Sequence, residues 1–282
     1  MTGETAPLPA ASPRRALFAL GLSQLRARPS VVLGVVFFAL VIAGVAAVGG
    51  ALAWRGRDVA ARVPSLAAEI FAWGPGMLVA FGGALHAFRN DATEGVLALV
   101  ASRGVPLRAY VTYRALALAA LLAVLGAVGV VTVTVTIAMA APDGALAGSA
   151  VAAGVGALVH AIAFAFTMAP VVLAALGGLS RGAGYLALVS VLVGPEIARL
   201  FLHDVPGEWR PLLSIPSCLS ALGDATTPGH ADLVRTVGAF LVVAAVASVA
   251  TAIAGRVAER AAAPKPDPRP FDRALRGETH NA

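Results

Sequence analysis

The run VVLGVVFFALVIAGVAAVGGALAW, residues 31–54, carries no charged side chain. As a helix rising about 1.5 Å per residue it reaches roughly 36 Å, enough to cross a hydrocarbon core about 30 Å thick with some tilt. The whole chain has the same character. Of its 282 residues, 59% are hydrophobic and only 13% charged, and the mean hydropathy is +0.84. A soluble domain carries roughly a quarter charged residues. These numbers exclude that class and point to an all-α, polytopic integral membrane protein.

Working outward, five further apolar segments stand at 70–88, 115–141, 145–179, 185–202 and 236–255. The second is interrupted near its start by Trp73-Gly74-Pro75-Gly76, and the third closes on the turn signal Pro142-Asp143-Gly144. Pro, Gly and β-branched residues inside these runs are what bilayer helices tolerate when neighbours satisfy the freed backbone groups. The expectation is six spans in one transmembrane domain, 1–260, followed by a tail, 261–282, where proline alternating with charge (PKPDPRP) predicts disorder.

Basic residues orient the set. Fifteen of the 21 lie on the side holding both termini, the loop between the second and third spans, and Arg181. The other side holds Arg55, Arg57, Arg62, Arg199, Arg210 and Arg235, with eight of the fifteen acidic residues. The positive-inside rule makes the first side cytoplasmic, so the formal charge of +6 reads as topology and attraction to anionic lipid, with no nucleic-acid partner. Splitting the long fourth segment would turn the basic tail outward, so seven spans are rejected. The expected location is the cell (inner, cytoplasmic) membrane.

Arg14-Arg15 is too far from the apolar run to form a leader of normal shape. Residues 14–28 read as an interfacial helix, with Phe18, Leu22 and Leu25 on one face and arginines reaching headgroups. Cys218 is the single cysteine, so no internal disulfide forms and the redox compartment is unreadable.

Between the second and third spans lies NDATEGVLALVASRGVPLRAY, residues 90–110. Its apolar centre is too short to cross a bilayer. Asp91 or Thr93 is the expected cap of a short helix, Glu94 suits its first turn, and Gly104 with Pro106 ends it. Val96, Leu97, Leu99 and Val100 form an apolar strip, offered either to headgroups or to a soluble partner.

The longer run ATEGVLALVASRGVPLRAYVTYRALA, residues 92–117, resembles the region after the second span in type 2 permeases of ATP-binding-cassette exporters. Glu94, Gly95, Leu97, Leu99, Ser102, Arg103, Val105, Tyr110, Val111, Leu116 and Ala117 fall on matching positions, and Arg114 stands where the family often has lysine. Gly104 replaces the usual proline, Pro106 the usual serine, and Ala98 the second glutamate. The resemblance implies a coupling helix that docks on a separate ATPase subunit, present in two copies. Val96, Leu97 and Val100 would be its buried anchor, and Asp91, Glu94 and Arg103 its rim. It also implies a second permease copy or a sister permease, and a largely rigid pair of spans carrying the motion inward. No GxxxxGK[ST] motif occurs and the only lysine, Lys265, lies in the tail. The chain is therefore expected to bind no cofactor and to hydrolyse no ATP, with ATP and Mg on the partner.

Three other features each admit two readings. His160, deep in the fourth span, is either an intramembrane polar site or a neutral imidazole bonded to a neighbouring helix. Glu196 and Arg199 are spaced i, i+3, and serve either an outer gate or a topological anchor near the interface. LLSIPSCLSAL, residues 212–222, is too short to span. The family resemblance implies that it re-enters the outer leaflet as a cap, with Leu212, Ile215 and Leu219 at the gate; an interfacial helix is the alternative. No metal-ligand spacing and no hydrolase constellation is present. A secondary transporter would show paired broken helices and several buried ionisable residues, and a structural anchor is the third class.

Overall fold

A computed structural model describes residues 13–178, 181–201, 209–225 and 232–263. The tail from 264 onward, with Lys265, lies outside them, as do residues 179–180, 202–208 and 226–231. In chain order the helices are α1 (Pro13–Arg26), α2 (Pro29–Trp54), α3 (Val63–Phe71), α4 (Met77–Ala84), α5 (Ala87–Thr93), α6 (Val96–Ser102), α7 (Leu107–Ala140), α8 (Gly144–Leu176), α9 (Arg181–Phe201), α10 (Ile215–Asp224) and α11 (Leu233–Ala262). The described residues contain no strand.

Five stretches are long and apolar enough to cross a membrane: Pro29–Trp54, Asp58–Thr93, Leu107–Ala140, Gly144–Leu176 and Leu233–Ala262. This is the make-up of a polytopic membrane protein. Val32, Leu33, Val36 and Leu40 on α2, and Val237, Phe240, Leu241 and Val249 on α11, stand exposed as apolar bands. The segment expected at 185–202 is present as α9, a 21-residue helix carrying Arg181, Glu196 and Arg199; it is not among those five.

α8 forms the centre, with α3, α7, α10 and α11 packed around it. Asp143 caps it by accepting from the Leu146 N–H at 2.7 Å, which satisfies one of the four N–H donors a helix start leaves open. Where α8 crosses α7, a Cβ on Gly154 would lie 2.5 Å from Thr134 Oγ1. Only glycine allows that approach, a device common between bilayer helices.

The second expected span, 70–88, is one part of a longer, twice-interrupted stretch. Residues Ala72–Gly76 form a π-helical turn around Pro75, whose missing N–H breaks the regular ladder. Phe71, Trp73 and Phe164 pack edge-on around this turn, with centroids 5.9 Å apart in the Phe71–Phe164 and Trp73–Phe164 pairs. The second break follows α4, where His86 takes a left-handed φ of 54°. Neighbours supply partners for the groups it frees. Arg28 Nη1 donates to the carbonyls of Gly82, Gly83 and Leu85 at 3.2, 3.0 and 3.0 Å. The N–H groups of His86 and Phe88 donate to the Leu176 and Gly177 carbonyls at the end of α8, each at 3.0 Å. Two interruptions therefore lie within this second stretch, one at Ala72–Gly76 and one at His86.

Candidate functional site

The turn between α5 and α6 forms because Gly95 adopts φ 75°, a region that strains residues bearing a Cβ. The expected caps do not operate: α6 starts on Gly95 without a side-chain cap, and Thr93 Oγ1 instead donates back to the Asn90 carbonyl at 2.8 Å. At the other end Gly104, with φ 67°, lets its own N–H reach the Ala101 carbonyl and the Val105 N–H reach the Val100 carbonyl. This pair of bonds closes the helix, as glycine does at many helix ends, and α7 begins directly after Pro106.

α6 has two faces. Leu97 and Val100 turn inward, 1% and 5% exposed, and join the core of the same chain. Val96 is half-buried, while Glu94, Gly95, Ala98, Leu99, Ser102 and Arg103 face outward. The anchor read from the sequence is therefore divided. Its two best-buried members hold the elbow onto its own bundle, and the large apolar side chain left outside is Leu99, 55% exposed.

Asp91 corrects the sequence reading most sharply. Expected at a solvated rim, it is buried between α5, α1 and α7. Its Oδ2 lies 2.9 Å from Arg114 Nη1 and accepts from the Tyr110 hydroxyl at 2.7 Å. Its Oδ1 accepts from Gln24 Nε2 at 3.3 Å. Arg114 Nη1 also donates to the Tyr110 oxygen at 2.8 Å and to Gln24 Oε1. Arg114 Nε and Nη2 are buried with no acceptor among the described residues. Moving a carboxylate and a guanidinium out of water costs several kcal/mol each, by order of magnitude, and only close pairing with further hydrogen bonds offsets it. Four side chains from three elements supply that here. The cluster ties the N-terminal helix, the elbow and the start of α7 into one unit directly inside α6.

In the sequence Tyr110 and Arg114 stand out only as matching positions, and Gln24 and Arg28 mark no site at all. The available signal was an acid and a base at facing ends of two apolar runs, Asp91 after one and Arg114 in the next.

At the opposite end, Glu196 and Arg199 do pair, at 3.0 Å, on a part-exposed surface. Glu196 also accepts from the hydroxyls of Ser214 and Ser217. Ser214 in turn caps α10 by accepting from the Ser217 N–H at 3.2 Å. Glu196 thus binds α9 to the N-terminus of α10, where a negative charge suits the helix dipole. Ile215 and Leu219 are buried, and Leu212 is half-buried. His160 is buried on α8 against α10. No protein-family model and no curated protein matches this chain.

Proposed function

We propose that this protein is the membrane subunit of an ATP-binding-cassette exporter, driven by a separate ATPase that grips the elbow at α6. The reading rests on the resemblance of residues 92–117 to type 2 permeases. The observation that carries it is the two-sided build of α6. Its inner face is held by Leu97, Val100 and the Asp91 cluster, and its outer face offers Leu99 rimmed by Glu94, Ser102 and Arg103. An apolar centre inside a charged rim is the composition of a partner-binding patch. Motion applied there passes through buried ionic contacts into α1 and α7.

Six crossings with both termini inside belong to this proposal. Two contacts support them. The end of α8 meets the second break at His86, and Glu259 near the end of α11 pairs with Arg108 at the start of α7, at 3.3 Å. Both helices thus finish beside the elbow. Among the described residues between them, α9 is the helix long enough to carry the chain back across. The excess of basic residues on the elbow side makes that side cytoplasmic. The chain would act as a dimer, with itself or a sister subunit, in the cell membrane. It would bind no nucleotide, ATP and Mg residing on the ATPases.

The test is co-purification of the full chain with tagged ATP-binding-cassette ATPases, followed by hydrolysis and vesicle transport assays. The expected result is a complex that hydrolyses ATP and a chain that alone does not. Robust hydrolysis by the chain alone, or crosslinks from Leu99 to lipid only during turnover, would overturn the reading.

A further inference from the structure

Between α8, α9 and α11 lies a cleft of about 470 Å³, inside the roughly 300–1,000 Å³ range of ligand pockets. It stays open because small residues line it from all three helices: Ala174 and Ala175 on α8, Ala187 on α9, and Ala245 and Ala250 on α11. α9 rests on α8 and on the residues around the start of α10, and methyl groups do not fill the space left beside α11. Every side chain of the wall belongs to Ala, Val, Leu or Ile. A water molecule settles in a cavity only where about two to four polar partners hold it. This wall offers water no side-chain partner, so the matching occupant is hydrocarbon. Both α8 and α11 are long and apolar enough to cross a membrane, which puts acyl chains within reach of the slot.

Charge stands at one end of it. On α11, Val246, Val249, Ile253, Arg256 and Arg260 follow at steps of three and four residues, which is one stripe of a helix. At about 1.5 Å per residue, Arg256 and Arg260 lie roughly 5 and 10 Å beyond Ile253, toward the elbow. Both are exposed and make no ion pair or hydrogen bond among the described residues. The acid beside them, Glu259, is taken by Arg108 at 3.3 Å. Two uncompensated guanidiniums, whose forked N–H groups suit phosphate oxygens, therefore stand where the apolar stripe ends. A second copy of this chain matches the slot less well, because its own elbow end carries the same excess of basic residues.

We propose that the cleft holds an acyl chain of one anionic phospholipid, with the lipid phosphate on Arg256 and Arg260. A basic site between membrane helices is a recurrent form of headgroup recognition. Here the hydrocarbon slot adds a fixed place for the chain, so the lipid is held at a defined position on the bundle. The inference needs no ATPase partner and no assignment of which side faces the cytoplasm.

The test uses the full chain in detergent, titrated with phosphatidylglycerol or phosphatidylcholine of identical acyl chains and read by native mass spectrometry. One phosphatidylglycerol per chain should stay bound, at least about tenfold more tightly than phosphatidylcholine, since only the former brings net negative charge to the arginines. Arg256→Gln combined with Arg260→Gln should remove that preference. Arg14→Gln combined with Arg26→Gln, at exposed positions of α1, should leave it unchanged, which separates the site from a general attraction to basic surface. Val249→Trp, at an exposed position of the cleft wall, should weaken phosphatidylglycerol severalfold while the size-exclusion profile stays that of the parent. Equal retention of the two lipids would overturn the proposal, as would a preference that survives the α11 changes or falls equally with the α1 changes. A Val249→Trp variant that keeps the lipid at full strength would also overturn it, and loss of a dimer in that variant would assign the cleft to a second copy instead.

Discussion

Arg114 Nη1 sits 2.9 Å from Asp91 Oδ2, and both side chains are almost wholly withdrawn from the surface. The two residues belong to different elements, α7 and α5, so their contact fixes the elbow against the long helix that follows it. Removing one member leaves the other charge buried alone. Asp91→Ala should therefore cost about 3–5 kcal/mol, visible as a large fall in the thermal midpoint of the purified protein. Asp91→Ala combined with Arg114→Leu should recover much of that loss. A single Asp91→Ala variant as stable as the parent would show that the pair holds nothing in place.

The two faces of α6 predict two kinds of failure. Leu97→Asp puts an unpaired carboxylate into the core and should abolish folded protein in a fluorescence size-exclusion profile. Leu99→Asp alters an exposed side chain and should leave that profile unchanged while an ATPase no longer co-purifies. If the Leu99→Asp variant still binds the ATPase at full strength, the docking face lies elsewhere.

Glycine is required at Gly104 and Gly154 for different reasons. A Cβ on Gly104 meets nothing within 4 Å, but φ is 67°. Gly104→Ala should cost about 1–2 kcal/mol, and Gly104→Asn less, because asparagine tolerates the left-handed region. Gly154→Ala instead drives a methyl against Thr134, a clash on the order of 1–3 kcal/mol. Thr134→Ala should rescue the second variant and not the first. Melting curves of these variants decide it, and rescue of Gly104→Ala by Thr134→Ala would contradict the assignment.

Burial pushes the Cys218 thiol up to about 11. The thiolate is the reactive form, so at pH 8 only about one molecule in a thousand carries it. Maleimide labelling of the folded protein should be slow and should rise about tenfold per pH unit up to that value, while unfolding in detergent should release fast labelling. Rapid modification at pH 7 without unfolding would refute the burial of this side chain.

Much of the fold was legible because hydrocarbon imposes long uncharged runs: α2, α7, α8 and α11 all overlap segments read from the sequence. The interruption at Trp73-Gly74-Pro75-Gly76 was legible too, since proline removes a donor wherever it falls. The bend at His86 was not. It depends on Arg28 to donate and on the end of α8 to accept, and no local residue pattern announces those partners. The same holds for Asp91. Its place after a span and before a glycine resembles a cap, and a packed tyrosine and arginine from α7 outweighed that local preference. For α6 the periodicity gave the apolar strip, but seven residues form too narrow a helix for sequence alone to say which edge meets its own bundle.

The bend at His86 also bears on how the protein is made. The carbonyl that receives the His86 N–H belongs to Leu176, ninety residues further along the chain. When the ribosome has delivered the second hydrophobic stretch, this peptide group has no permanent mate, and lipid offers none. That stretch is therefore finished late: its end at His86 has to stay in water, or in the insertion machinery, until α8, the fourth long apolar stretch, emerges and closes the bond.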